Sequence, residues 1–155
     1  MTGRHNYLRL LVMAVLSFVA MYVLMYAMVD RLDDVYPNLN QFYMAALMVC
    51  PMVVIELIVM RAMYSSRSAN IAIAAANILV FGASWAMIRQ QTAIGDVQFL
   101  KSMISHHSGA ILMCREAAVG DPEIQDLCNG IVPGQQSEID RMKIILKRLE
   151  RGQDG

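Results

Sequence analysis

The sequence predicts an all-α membrane protein: three transmembrane helices, then an external antiparallel helical hairpin. Three observations carry this. Three long apolar runs precede residue 90 of a 155-residue chain. The remainder is polar and amphipathic, and turn residues divide it into two helix-length segments. The whole is 57% hydrophobic, above the roughly 45–50% of a soluble domain. Thirteen basic and thirteen acidic residues balance to a net charge of zero, so no basic stripe is available to neutralise nucleic-acid phosphates. Cys50, Cys114 and Cys128 are too few and too widely spaced for a zinc ribbon or finger.

The predicted spans cover residues 10–29, 42–60 and 71–88, within a membrane domain of residues 1–89. Each is long enough for a hydrocarbon core of about 30 Å at 1.5 Å per residue. The first exceeds the h-region of a signal peptide and lacks a small-x-small cleavage site, so it reads as an uncleaved span. Arg4 and Arg9 precede it, and Arg61 and Arg67 flank the loop between the second and third spans. The loop "DRLDDVYPNLNQ" between the first two has one arginine and three aspartates. The positive-inside rule then places the N-terminus in the cytoplasm and everything beyond the third span outside. The expected location is a bacterial inner membrane with a periplasmic C-terminal domain, a compartment where cysteines oxidise.

Within the spans, Met21, Met25 and Met28 share a helix face, as do Met44, Met48 and Met52. Thioethers packing between helices explain both better than a metal path. Pro51 is expected to kink the second span. Glu56 reads either as a partner of Asn77, at similar depth, or as a side chain snorkelling near Arg61. Ala72/Ala76 and Gly82/Ala86 allow close packing of the third span.

Residues 90–95 read as a linker, 96–150 as the hairpin and 151–155 as a disordered tail. Asp96 is the expected N-cap of the first hairpin helix, which should end near Val119-Gly120. "GDPE" restarts the chain, with Asp121 as N-cap, Pro122 at the first helical position and Glu123 against the positive end of the helix dipole. Pairing residues at equal distance from this turn sets Cys114 level with Leu127-Cys128. It sets His106 and His107 level with Gly134 and Gln135, Met103 with Glu138, and Phe99 with Met142.

"MISHHSGAILMC" is the stretch that points to chemistry. His107 lines up with Met103 and Cys114, and His106 with Met113. Thioether, thiolate and imidazole suit Cu(I) or Ag(I) better than hard cations. The candidate ligands are Met103, His106, His107, Met113, Cys114, Cys128, Glu138 and Met142. A plainer alternative has the histidines hydrogen-bonding Glu138 and Gln135 in a polar core layer, but the density of soft donors favours metal. Cys114 and Cys128 fit either a disulfide or a reduced ligand pair, and the sequence leaves both open.

"DVQFLKSMISHHSGAILMCREA" with "DPEIQDLCNGIVPGQQSEIDRMKIIL" resembles the bacterial domain-of-unknown-function 305 family. The positions that carry the resemblance are Asp96, Phe99, Met103, His106, His107, Ala110 and Met113, then Gln135, Glu138, Ile139 and Met142. It implies a ferritin-like helical bundle, in a family some of whose members bind copper or silver through histidine and methionine. Pro133-Gly134 departs from the pattern and is expected to kink or break the second helix. A single hairpin of this size is marginal alone. Two chains are therefore expected to dimerise their hairpins into a four-helix bundle.

The functional expectation is a membrane-anchored binder of copper or silver, serving storage, delivery or tolerance, with a metal-handling partner protein. The alternative is a structural or assembly subunit whose hairpin mainly dimerises. Enzyme chemistry of the di-iron type is disfavoured, since the sequence has no Glu-x-x-His motif.

Overall fold

The computed structural model describes residues 2–153. Among them the regular elements are all helical: α1 (Thr2–Leu24), α2 (Leu39–Val59), α3 (Arg67–Gln90), α4 (Asp96–Glu116) and α5 (Pro122–Gln153), with three short 3-10 turns. Three segments are long and apolar enough to cross a membrane: His5–Met28, Leu39–Val59 and Arg67–Gln90. Each contains, or nearly contains, one expected run and extends beyond it, because polar flanks continue the helix past the apolar stretch. The chain divides into two compact units.

The first unit runs through Met25 and from Asn40 to Thr92. Its core sets Leu10 of α1 against Val49, Val53 and Leu57 of α2 and Tyr64, with Met13 and Met21 packed on it. Those thioethers fill gaps between helices. Pro51 lies inside α2, which runs on without interruption. Glu56 does not take Asn77 as its partner. Tyr64 donates its hydroxyl to Glu56 Oε1 at 3.3 Å, while the Asn77 amide turns back to the carbonyl of Ile73 in its own helix. The loop after α2 brings a closer donor than α3 does. Ser66 caps α3 through the Ala69 N–H.

The second unit comprises Tyr26–Leu39 and the chain from Ala93 onward. Helices α4 and α5 form an antiparallel hairpin around Leu100, Ile104, Ile111, Ile139 and Leu146. Asp96 is the first helical residue rather than the cap. Gly95 occupies the cap position, and Asp96 instead places its charge in the first turn, against the positive dipole end. Helix α4 stops at Glu116, earlier than expected. Asp121 caps α5 as expected, accepting from the N–H groups of Glu123 at 2.9 Å and Ile124 at 3.2 Å.

Two expectations for α5 are corrected. The helix runs without a break through Pro133. Both Pro133 and Asn129 are exposed, so water can satisfy the Asn129 carbonyl that proline leaves without a donor. The same helix continues to Gln153, where a tail from residue 151 was expected to be disordered. Residues 154 and 155 lie outside the described residues.

The segment 26–39 is the element the sequence did not announce. It straps across α4. Asp34 is buried, accepts the Ser108 hydroxyl at 2.8 Å and pairs with Lys143 of α5. Ser105 donates to the Asp34 carbonyl at 2.9 Å, and Arg115 pairs with Asp30 at 2.7 Å. Gln98 Oε1 accepts from the Leu39 N–H at 2.9 Å.

Candidate functional site

The candidate residues lie on the hairpin, whose register is marked at its tip by the two cysteines. Cys114 and Cys128 face each other with Cα atoms 5.3 Å apart and are joined as a disulfide. The expectation that they are level holds. Their role as thiolate ligands does not hold while that bond stands, since a disulfide presents no thiolate.

Toward the core from that bond, His107 turns from α4 toward α5. Its side chain is 12% exposed, and Nδ1 lies 3.1 Å from Glu138 Oε2. The approach is out of line for a hydrogen bond, and Nδ1 is buried without a hydrogen-bond partner. Gln135 Oε1 is buried in the same condition. Equal-distance pairing set Glu138 level with Met103. The Glu138 side chain reaches His107, one helical turn along α4, the neighbour that the polar-layer alternative gave it.

Burial pushes the His107 imidazole below its ordinary pKa. The Glu138 carboxylate opposes this, and neighbouring His106 adds to the lowering. The group is therefore held toward its neutral form, which is the form that carries a free ring lone pair. His106 points elsewhere: it is exposed, with its ring centroid 6.1 Å from that of His107 and the planes at 61°. Consecutive helical residues differ by about 100°, which accounts for one buried and one exposed ring.

The remaining candidates divide by environment. Met103 is half-buried, and Met113 is 54% exposed. Met142 packs against the hairpin core. The disulfide is not part of the His107 cluster, because Cys114 lies seven residues on, about 10 Å along the helix. Among the described residues, no three His, Cys, Asp or Glu side chains converge where they could hold one ion. A ligand set at His107 would thus need thioether or amide donors. The arrangement offers an imidazole held toward its neutral form, a carboxylate 3.1 Å from its Nδ1 and an amide oxygen without a hydrogen-bond partner.

Sequence reasoning missed the strap that holds the other side of α4. The signal was present in two halves. Ser105, Ser108 and Gly109, at i, i+3 and i+4, form a flat face, and Asp30 and Asp34 face Arg115 and Lys143 in charge.

Comparison with known proteins gives two matches. The family model described as "Domain of unknown function (DUF305)" matches residues 60–146. The "Uncharacterized protein L153" of Acanthamoeba polyphaga mimivirus is 36% identical over 140 residues, covering 88% of this chain and 90% of its own. A match of that length extends beyond the hairpin into the apolar helices. No solved structure matches.

Proposed function

We propose, from the premise that this chain belongs to the DUF305 family, that it is a membrane-anchored binder of soft metal ions, copper(I) or silver(I). Its binding hairpin stands outside the cytoplasm and serves storage, delivery or tolerance, handing its ion to a metal-handling partner protein. One observation carries the reading: His107 Nδ1 is buried without a hydrogen-bond partner, in a ring that burial keeps neutral. Met103, four residues before His107, supplies a half-buried thioether one turn away. His106 and Met113 supply exposed donors for a second ion or for transfer. Imidazole and thioether together suit a soft monovalent ion.

Support for the membrane arrangement comes from the second unit. Three crossings oblige the segment after the first span and the segment after the third to emerge on one side. Those two segments are the ones that fold together as strap and hairpin. A disulfide between Cys114 and Cys128 suits an oxidising compartment.

The test is an anaerobic Cu(I) titration of the full-length protein against a competing chelator, beside His107→Ala and Met103→Ala. Binding that weakens at least tenfold in both variants supports the reading; equal affinity in all three removes it. In that event the structural or assembly subunit stands. The absence of three converging His, Cys, Asp or Glu side chains among the described residues favours it, and so does an exposed apolar set on the hairpin, including Phe99, Leu127 and Ile144, that a second copy would cover.

A further inference from the structure

The tip of the hairpin has no core. Every side chain from Leu112 to Glu138 is half-buried or exposed, and the buried apolar residues of the hairpin all lie outside that stretch. Within it, the Cys114–Cys128 bond ties α4 to α5, and Val132 packs on the edge of that core. Cys114 sits in the last turn of α4, and Cys128 sits in the second turn of α5. Both are half-buried, and the neighbouring Met113, Ile124 and Leu127 are exposed by 54%, 47% and 60%. A soluble thiol or a small cation can therefore approach the sulfurs. Cys50, the remaining cysteine, is free and buried within α2.

We propose that Cys114 and Cys128 are a reversible dithiol–disulfide couple that, when reduced, forms a separate soft-metal site for one monovalent ion. The proposal rests on the soft-metal reading for its ligand class, but it concerns different atoms. Reduction proceeds by thiol–disulfide exchange with an external dithiol. A thiolate of the reductant attacks one sulfur, the protein S–S bond breaks, and a mixed disulfide forms. The reductant's second thiol then displaces that sulfur, leaving two protein thiols and an oxidised, cyclic reductant. The two thiols release their protons to solvent as one Cu(I) or Ag(I) bridges them, because thiolates rather than thiols are the ligands.

The geometry favours this over a purely structural staple. The hairpin's register is set elsewhere, by the core around Ile104, Ile111 and Ile139 and by the strap ion pairs. Two thiols on facing helices with Cα atoms 5.3 Å apart therefore remain opposed after the bond opens. Oxidised, the pair holds the tip closed and binds nothing. Reduced, it adds an ion beyond those held through the histidines.

The test uses the full-length protein in detergent with Cys50→Ser as background. Oxidised protein and protein reduced with a phosphine, then freed of reductant under nitrogen, are titrated with Ag(I) or Cu(I). The expected result is one additional equivalent in the reduced form, with thiolate-to-metal charge-transfer absorption. The increment should vanish in Cys114→Ser/Cys128→Ser and in reduced, alkylated protein, and persist in His106→Ala/His107→Ala. Equal stoichiometry in both redox forms overturns the proposal, as does an increment that survives loss of both cysteines. A collapse of the helical far-ultraviolet signal on reduction also overturns it, because the site requires the hairpin to hold its register. Loss of the histidine-dependent equivalents alone bears on the proposed function and leaves the thiol increment to be read separately.

Discussion

Ser108 donates its hydroxyl to Asp34 Oδ2 across 2.8 Å, and both residues are almost wholly shielded from solvent, at 0% and 2% exposure. The other carboxylate oxygen faces the Lys143 ammonium. A buried carboxylate is tolerable only with such partners, so this one pairing commits the strap, α4 and α5 to a single arrangement. Asp34→Ala strands Lys143 and Ser108 together. It is expected to destabilise the second unit by about 2–4 kcal/mol. Asp33→Ala, on the neighbouring exposed aspartate, is expected to cost under about 0.5 kcal/mol. Hydrogen exchange across residues 26–39 and α4 reads the difference, and equal protection in the two variants would remove Asp34 from this role.

Gly109 tests the same interface by shape rather than charge. A Cβ at this position would stand 3.2 Å from the backbone oxygen of Met28, and a backbone atom yields less readily than a side chain. Alanine gains about 1 kcal/mol of helix propensity over glycine, which offsets a tight contact, so Gly109→Ala is expected to be near neutral. Gly109→Leu has no such compensation and is expected to cost about 1–3 kcal/mol through overpacking. Limited proteolysis of the strap should be unchanged in the first variant and clearly faster in the second. Slow cleavage in Gly109→Leu would show that the strap is not packed against α4.

The legible and illegible parts of this fold divide by range. Apolar run length alone located α1, α2 and α3, because a run of about twenty apolar residues is long enough to cross a bilayer as a helix. The Cys114–Cys128 level followed from the short turn and 1.5 Å per residue. Farther from the turn, level alone does not name the contact: Glu138, expected level with Met103, reaches His107, the neighbour that the plainer polar-layer alternative gave it. The strap was hidden because its contacts join residues far apart in the chain, more than seventy for Ser105 to Asp34 and Ser108 to Asp34, and no local pattern encodes them. Glu56 failed for the reverse reason. Depth in the membrane suggested a partner on α3, while Tyr64, eight residues on, was nearer. Of the kink or break expected at Pro133, the break does not occur, since α5 continues through the proline.

Pro133 yields a prediction from that error. The helix is already continuous, so replacing the proline needs no rearrangement. Pro133→Ala restores a donor for the Asn129 carbonyl and removes the ring's clash with the preceding turn. The interior penalty for proline is about 3 kcal/mol; part of it is relieved here by solvent at an exposed position, so a gain of about 1–2 kcal/mol is expected. Thermal unfolding followed by far-ultraviolet circular dichroism should shift upward. A downward shift would mean that a bend at Pro133 is required by the packing of α5.

His107 sets a pH dependence whose sign follows from its burial. The folded chain holds this imidazole below its ordinary pKa, first by burial, with His106 adding to the effect and Glu138 resisting it. In the unfolded chain the ring takes its proton near pH 6.5. Between the folded and unfolded values the unfolded state therefore binds more protons, and stability rises with pH. The contribution is fully present above about pH 6.5 and is lost as pH falls toward the folded value. Unfolding of the second unit should thus become easier on acidification through this window. His107→Gln, which cannot titrate, should flatten the slope. Glu138→Gln removes the opposing carboxylate, lowers the folded pKa further and extends the acid-sensitive window downward. Denaturant midpoints between pH 5 and 8 decide it: an unchanged slope in His107→Gln would assign the dependence to another group, and a narrower window in Glu138→Gln would reverse the role given to that carboxylate.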